Sequence, residues 1–215
     1  MIRAIISDLG NVLLHFDHGI IGRRLTEQFP SAPRDAETVA AFWRLVHAFE
    51  TGQSGIEDFF AQMAGLLNLT EALDEAKFSE LWGDIFWLNT ELVHVLEQLH
   101  DSVTLVLLSN TNPLHIAFAK QRFPELFRLF DHTIYSYETG FGKPDTRMYL
   151  HALEVAGVTA DEALYFDDIA AYTDAASELG IHAYQYVSLS SLMDVLHIYD
   201  LPLRDTTEHN TFPVQ

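Results

Sequence analysis

The sequence predicts an α/β fold, a Rossmann-like parallel sheet with helices on both faces and an all-helical block inserted after the first strand. Three observations predict it. Ile2-Arg3-Ala4-Ile5-Ile6-Ser7 is a short apolar run that stops at Asp8-Leu9-Gly10-Asn11, as a strand buried on both faces does where it reaches the sheet edge. Residues 17–88 carry helical spacing without a strand pattern. From Asn89 onward short apolar runs alternate with helical stretches, the rhythm of right-handed βαβ units.

Taken in order, the elements justify that reading. After Leu14 the pattern turns helical and stays so to about Trp87, with Pro30, Ser31 and Pro33 breaking the first piece. Ala36–Glu50 places Val39, Phe42, Trp43, Val46 and Phe49 at spacings of three and four, one apolar helix face. A turn follows at Thr51-Gly52-Gln53-Ser54-Gly55, then helices are expected at 56–69 and 71–82. Beyond Asn89 the expected order is helix 91–100, strand 103–108, helix 114–122, strand 132–135, helix 146–156, strand 163–166, helix 170–179 and strand 181–187. Gly157 and Gly180 stand just past two of these helices, where a left-handed residue closes the last turn. The expected division is therefore a core of 1–16 and 89–200, a helical insertion of 17–88, and a polar tail of 201–215.

Composition narrows the function. The chain of 215 residues is 48% hydrophobic and 12% aromatic, enough for a sizeable core. Twelve Lys and Arg face 31 Asp and Glu, a formal charge of −19. That balance argues against a nucleic-acid partner, which needs basic patches against phosphate, and against anionic membranes. It leaves room for a small anionic substrate, because a metal ion and a local cation reverse the field inside a site. With no cysteine, disulfides and thiolate metal sites are ruled out. Apolar runs such as 105–108 fall far short of the roughly 20 residues of a membrane helix, no secretory leader is apparent, and the expected setting is the cytoplasm. Oligomeric state is not legible.

The chemistry gathers at strand ends. The 103–108 run leads into Ser109-Asn110-Thr111-Asn112-Pro113, the 163–166 run into Asp167-Asp168, and the 132–135 run is followed by Gly140-Phe141-Gly142-Lys143-Pro144-Asp145. In a parallel sheet such ends emerge on one edge, so Asp8, Ser109, Lys143, Asp167 and Asp168 can converge. Carboxylates from separate strands repel unless a cation sits among them, and their oxygens suit a hard ion such as Mg²⁺. Lysine pairs with both a carboxylate and a phosphoryl oxygen. A serine hydroxyl and the N–H groups opening the next helix are donors for phosphate, and an Asp nucleophile can form an aspartyl-phosphate. Singly, Ser109-Asn110 also fits a helix cap and Lys143 a solvated loop lysine. The ordered set is what points to chemistry.

These four segments resemble the four motifs of the haloacid dehalogenase superfamily, whose helical cap is inserted between the first and second. Asp8-Leu9-Gly10-Asn11-Val12-Leu13 looks most like the branch that includes α-D-glucose-1-phosphate phosphatase. The resemblance spans residues 1 to about 190. It implies a phosphoric monoester hydrolase in which Asp8 is nucleophile and Mg²⁺ ligand and Gly10 offers its carbonyl to the metal. Ser109 and Asn110 would meet the phosphoryl group and substrate, and Lys143 would neutralise nucleophile and phosphate. Asp168 is the expected direct metal ligand and Asp167 the outer one, an order that either acid of the pair can fill. The implied partner is a small phosphorylated substrate, with a sugar phosphate favoured.

Two departures stand out. Most phosphatases of this superfamily carry a second acid two residues after the nucleophile, where this chain has Gly10, which cannot transfer a proton. His15 and Asp17 are nearby replacements, and an ester whose leaving group needs little protonation, such as an anomeric sugar phosphate, is the expected substrate. Relatives commonly place Asn where Tyr172 stands, and Ile169 replaces a polar residue, both bearing on how the acidic loop is oriented. Two rival readings follow: a metal-independent 2-haloacid dehalogenase using Asp8, and a catalytically silent binding protein of the same fold. The Asp167-Asp168 pair favours the phosphatase. Trp43, His47, Phe49, Trp82 and Trp87 are available to line a pocket, although helical spacing assigns most of them to the core.

Overall fold

Both faces of the first strand are covered, and this sets the layering of the protein. In the computed structural model, which describes residues 1–69 and 73–203, strand β1 (Ala4–Ser7) is buried throughout. Ile5 packs with Leu105, Leu107 and Leu164 on one side, and Ile6 with Val106, Leu108 and Tyr165 on the other. Alternate residues of a strand face opposite sides, so an unbroken apolar run needs helices on both.

The chain then runs β2 (Leu14–Phe16), α1 (Gly19–Gln28), α2 (Ala36–Glu50), α3 (Ile56–Leu66), α4 (Glu75–Gly83) and β3 (Phe86–Leu88). It continues through α5 (Thr90–Leu99), β4 (Thr104–Ser109), α6 (Pro113–Arg122), α7 (Pro124–Arg128), β5 (His132–Tyr135), α8 (Ser136–Thr139) and α9 (Thr146–Ala156). A 3₁₀ turn (Ala160–Glu162), β6 (Ala163–Asp167), α10 (Ala170–Glu178), β7 (His182–Gln185) and α11 (Leu189–Ile198) complete it. Five parallel strands lie in the order β5-β4-β1-β6-β7. The α/β architecture is the one the sequence predicts. Among the described residues, no helix is long and apolar enough to cross a membrane.

Strand order reverses at β1, because the chain builds outward through β4 and β5 and then crosses back to β6 and β7. Ser7 lies level with Leu107 and Phe166 in its two neighbours. Asp8, Ser109 and the Asp167-Asp168 pair therefore emerge together at the carboxyl edge, at the switch point where open α/β sheets hold their ligands.

Helices α1–α4 gather around their own apolar cluster, with Phe49, Phe59 and Met63 fully buried and Phe49 stacked on Phe59 at 4.1 Å. The expectation of no strand between residues 14 and 88 is corrected: β2 and β3 pair antiparallel, with Leu14 opposite Leu88 and Phe16 opposite Phe86. Strands of three residues are too short to show an alternation, so the pattern passed for helix. This ribbon is where the chain leaves and re-enters the core. Two seams tie the helical block down. Gly83 of α4 lies so close to α6 that a Cβ there would come within 2.8 Å of Phe118 Cβ. At the far end of α2, Ser136 Oγ donates to the Glu50 carbonyl at 2.6 Å. Helix α11, capped by Ser188 and Ser191, goes beyond the expected elements, as do α7 and α8. Residues 71 and 72 of the helix expected at 71–82, and 204–215 of the expected tail, lie outside the described residues.

Gly52 allows the second seam. Its φ is +68°, and a Cβ would lie 2.2 Å from the Tyr137 carbonyl oxygen. Gly52→Ala is expected to cost about 1–3 kcal/mol in urea unfolding, through backbone strain and lost contact at the seam. An unchanged midpoint would show that the turn is not held there.

Candidate active site

Lys143 is 4% exposed, and its ammonium is enclosed by oxygen. Nζ donates to Asp8 Oδ1 at 2.6 Å, Asp167 Oδ2 at 2.6 Å and the Leu108 carbonyl at 2.9 Å. One cation thus bridges the ends of β1, β4 and β6 from the loop that follows α8. Burial pulls the Lys143 ammonium down, but the two carboxylates outweigh it and hold its pKa above the ordinary lysine value. Burial pushes the Asp8 carboxyl up to about 7, with Asp167 adding to the rise and Lys143 opposing it.

The loop bearing Lys143 is clamped by Asn110. The Asn110 amide donates to the Lys143 carbonyl and its Oδ1 accepts from the Lys143 N–H, both at 2.8 Å. Gly142 leaves the room for this, since a Cβ there would meet Asn110 Oδ1 at 2.7 Å. Asn110, expected beside the substrate, is thus also the brace of the lysine loop. Ser109, 2% exposed, ends β4 one residue earlier. Asn112 caps α6, its Oδ1 accepting from the His115 N–H at 3.0 Å.

The acidic pair divides its tasks. Asp167 is fully buried, its Oδ2 accepting from Lys143 and from the Tyr165 hydroxyl and its Oδ1 from the Ile169 N–H at 2.9 Å. Asp168 is half-buried and accepts one side-chain bond, from Asn11 Nδ2 at 3.2 Å, while Gln185 Nε2 holds its carbonyl at 2.8 Å. Oxygens of Asp8, Asp167 and Asp168 lie within 4.8 Å of one another. A set of three carboxylates at that separation fits a hard divalent cation such as Mg²⁺.

Gly10 sits in the tight turn after β1, where a Cβ would meet Phe16 Cε1 at 2.8 Å. Asn11 beside it has φ +53°, a left-handed conformation that asparagine tolerates. Its hold on Asp168 was not foreseen, although the Gly-Asn turn was the signal. Tyr165 was likewise missed, because inside a buried strand it reads as core. The departure at position 172 is accommodated: Tyr172 OH accepts from Asn110 Nδ2 at 3.4 Å, and its ring lies 5.3 Å from Lys143 Nζ. Of the replacement acids, Asp17 is exposed and taken up by Arg23 and the Gly19 N–H, and its Arg23 bond holds its pKa below the ordinary value. His15 packs against Trp87 at 6.0 Å.

A sequence model of the haloacid dehalogenase-like hydrolases matches residues 2–180. Among solved structures, the chain is similar to a HAD family enzyme of Bacteroides thetaiotaomicron in complex with magnesium and inorganic phosphate. That match has 23% identity and a TM-score of 0.78, covering 89% of this chain and 99% of that one. A predicted HAD-like hydrolase of Porphyromonas gingivalis is similar at 24% identity, TM-score 0.77, over 91% and 98% of the two chains. A 2-haloacid dehalogenase of Pseudomonas syringae pv. Tomato is similar at 21% identity and TM-score 0.66, over 93% and 100%. At these identities the likeness establishes the shared fold.

Removing the central cation leaves two carboxylates facing each other in the interior. Lys143→Met is expected to lose about 3–5 kcal/mol of stability in urea unfolding at neutral pH. A loss within the range of an ordinary surface substitution would contradict the bridging role.

Proposed function

This chain belongs to the haloacid dehalogenase-like hydrolases, and from that footing we propose that it is a Mg²⁺-dependent phosphatase of a small phosphorylated metabolite, with a sugar phosphate first in line. One observation carries the reading: three carboxylates, Asp8, Asp167 and Asp168, converge around a single buried lysine. A dehalogenase that works without metal has no use for the third, whereas a divalent cation would balance the set.

In this reading Asp8, aimed by Lys143, attacks phosphorus, and the bond to the leaving oxygen breaks as an aspartyl-phosphate forms. Ser109 and the N–H groups at the opening of α6 hold the phosphoryl oxygens, and Asn110 serves the substrate side while bracing Lys143. Water then attacks phosphorus and frees Asp8 and phosphate. Asp8, the Gly10 carbonyl and Asp168 would hold the metal directly and Asp167 from the outer position, as suits a carboxylate whose oxygens are already taken by Lys143, Tyr165 and Ile169. Bound Mg²⁺ supplies positive charge against the phosphoryl oxygens. Residues 17–88 act as a cap over a core of 1–16 and 89–200, excluding water and selecting the leaving group. A small-molecule partner and a cytoplasmic setting belong to the same reading, and the acidic charge of −19 speaks against nucleic acid.

The test is phosphate release across a metabolite panel that includes glucose 1-phosphate. Activity is expected with Mg²⁺, is lost with EDTA, returns when Mg²⁺ is restored, and is absent in Asp8→Asn. Turnover of a 2-haloacid that survives EDTA would replace this reading with the dehalogenase. Binding of Mg²⁺ and phosphate without release from any ester would leave a silent binding protein.

A further inference from the structure

A phosphatase needs a group that gives a proton to the leaving oxygen and takes one from the attacking water. Position 10 cannot supply it, and Phe16 fills the space where a side chain there would begin. Asp17 is committed to Arg23, Asp167 to Lys143 and Tyr165, and Asp168 to Asn11.

One carboxyl of the helical block stands differently. Glu50 is the last residue of α2, and its carbonyl is tied through Ser136 Oγ to Thr111, whose N–H reaches the same oxygen at 3.0 Å. Thr111 is two residues beyond Ser109, so this end of α2 rests on the phosphate-side loop. Phe42, Trp43 and Val46 of α2 line a cavity of about 250 Å³ with His18, Trp82 and His115, and His115 belongs to the first turn of α6 after that same loop. Glu50 follows Val46 by four residues and Trp43 by seven, and so lies one helical turn further along the same face of α2. Its carboxyl has no hydrogen bond or ion pair among the described residues.

We propose that Glu50 is the acid–base residue of this site, reaching across from α2 to do the proton transfers that Gly10 cannot. The assignment rests on the phosphatase reading. As Asp8 attacks and the bond from phosphorus to the leaving oxygen breaks, that oxygen takes the proton of Glu50 and departs as an alcohol. The Glu50 carboxylate then takes a proton from the water that attacks the aspartyl-phosphate, the bond from phosphorus to Asp8 breaks, and Glu50 is protonated again. Burial pushes the Glu50 carboxyl up to about 7, so near neutrality it can serve as donor and acceptor in turn.

The test measures single-turnover release of alcohol by the Mg²⁺-loaded enzyme from two esters, 4-nitrophenyl phosphate, whose leaving group needs no proton, and an alkyl phosphate, whose leaving group does. Glu50→Gln is expected to slow the alkyl ester by about 10²–10⁴-fold and the nitrophenyl ester by less than about tenfold. Glu50→Asp should recover part of the alkyl rate. In the parent enzyme the alkyl rate should fall as pH rises through about 7, and this limb should vanish in Glu50→Gln. Equal loss on both esters would mark Glu50 as structural, and an unchanged alkyl rate would remove it from the reaction. The alkyl phosphate is the best ester of the metabolite panel, and if the parent releases phosphate from no ester of that panel, the phosphatase reading itself fails.

Discussion

Lys143 Nζ lies 2.6 Å from each of two carboxylates on different strands, nearly sealed from solvent. Two buried carboxylates at that range repel strongly where water cannot screen them, and one ammonium removes the repulsion only if it is held in place. The structure holds it from both sides. The Leu108 carbonyl takes its third bond, and Asn110 fixes the backbone from which it springs. The cation therefore links β1, β4, β6 and the loop after α8, and the position of Asp8 depends on all of them.

Sheet topology makes that convergence possible. Because β1 lies between β4 and β6, the carboxyl ends of three strands that are remote in sequence stand side by side. The helical block attaches at the same edge through the β2–β3 ribbon and returns to it through the Ser136–Glu50 seam. The insertion is thus anchored at the carboxyl edge of the sheet by the β2–β3 ribbon after β1 and, at the far end of α2, by Ser136 after β5. This gives a side chain in the block a short route to the chemistry.

Much of this was legible in the sequence for one physical reason. Strands buried on both faces read as unbroken Val, Ile and Leu runs, and polar residues ending such runs must share an edge. Asp8, Ser109, Asp167 and Asp168 stand at such ends and emerge on one edge, while Lys143 arrives from the loop after α8. What escaped depends on distance or on dual use. The three-residue strands β2 and β3 are too short to show a period. Asn110 reads as a substrate group, and its bonds to Lys143 add a bracing role that the sequence does not show. Tyr165 is apolar in pattern but donates to Asp167. Phe16 lies six residues from Gly10 in the chain, yet it occupies the space that decides what position 10 can carry. Glu50 is separated from Asp8 by a proline break and two helices, so nothing in its local sequence sets it apart from an ordinary helix end.

On the proposed phosphatase reading, Asp8 attacks phosphorus and water then attacks phosphorus, not the Asp8 carboxyl carbon. A single turnover with excess enzyme and Mg²⁺ in ¹⁸O-labelled water, followed by mass spectrometry of the Asp8 peptide and of the released phosphate, distinguishes the two. One ¹⁸O is expected in phosphate and none in Asp8, whereas ¹⁸O appearing in the Asp8 carboxylate would contradict attack of water at phosphorus.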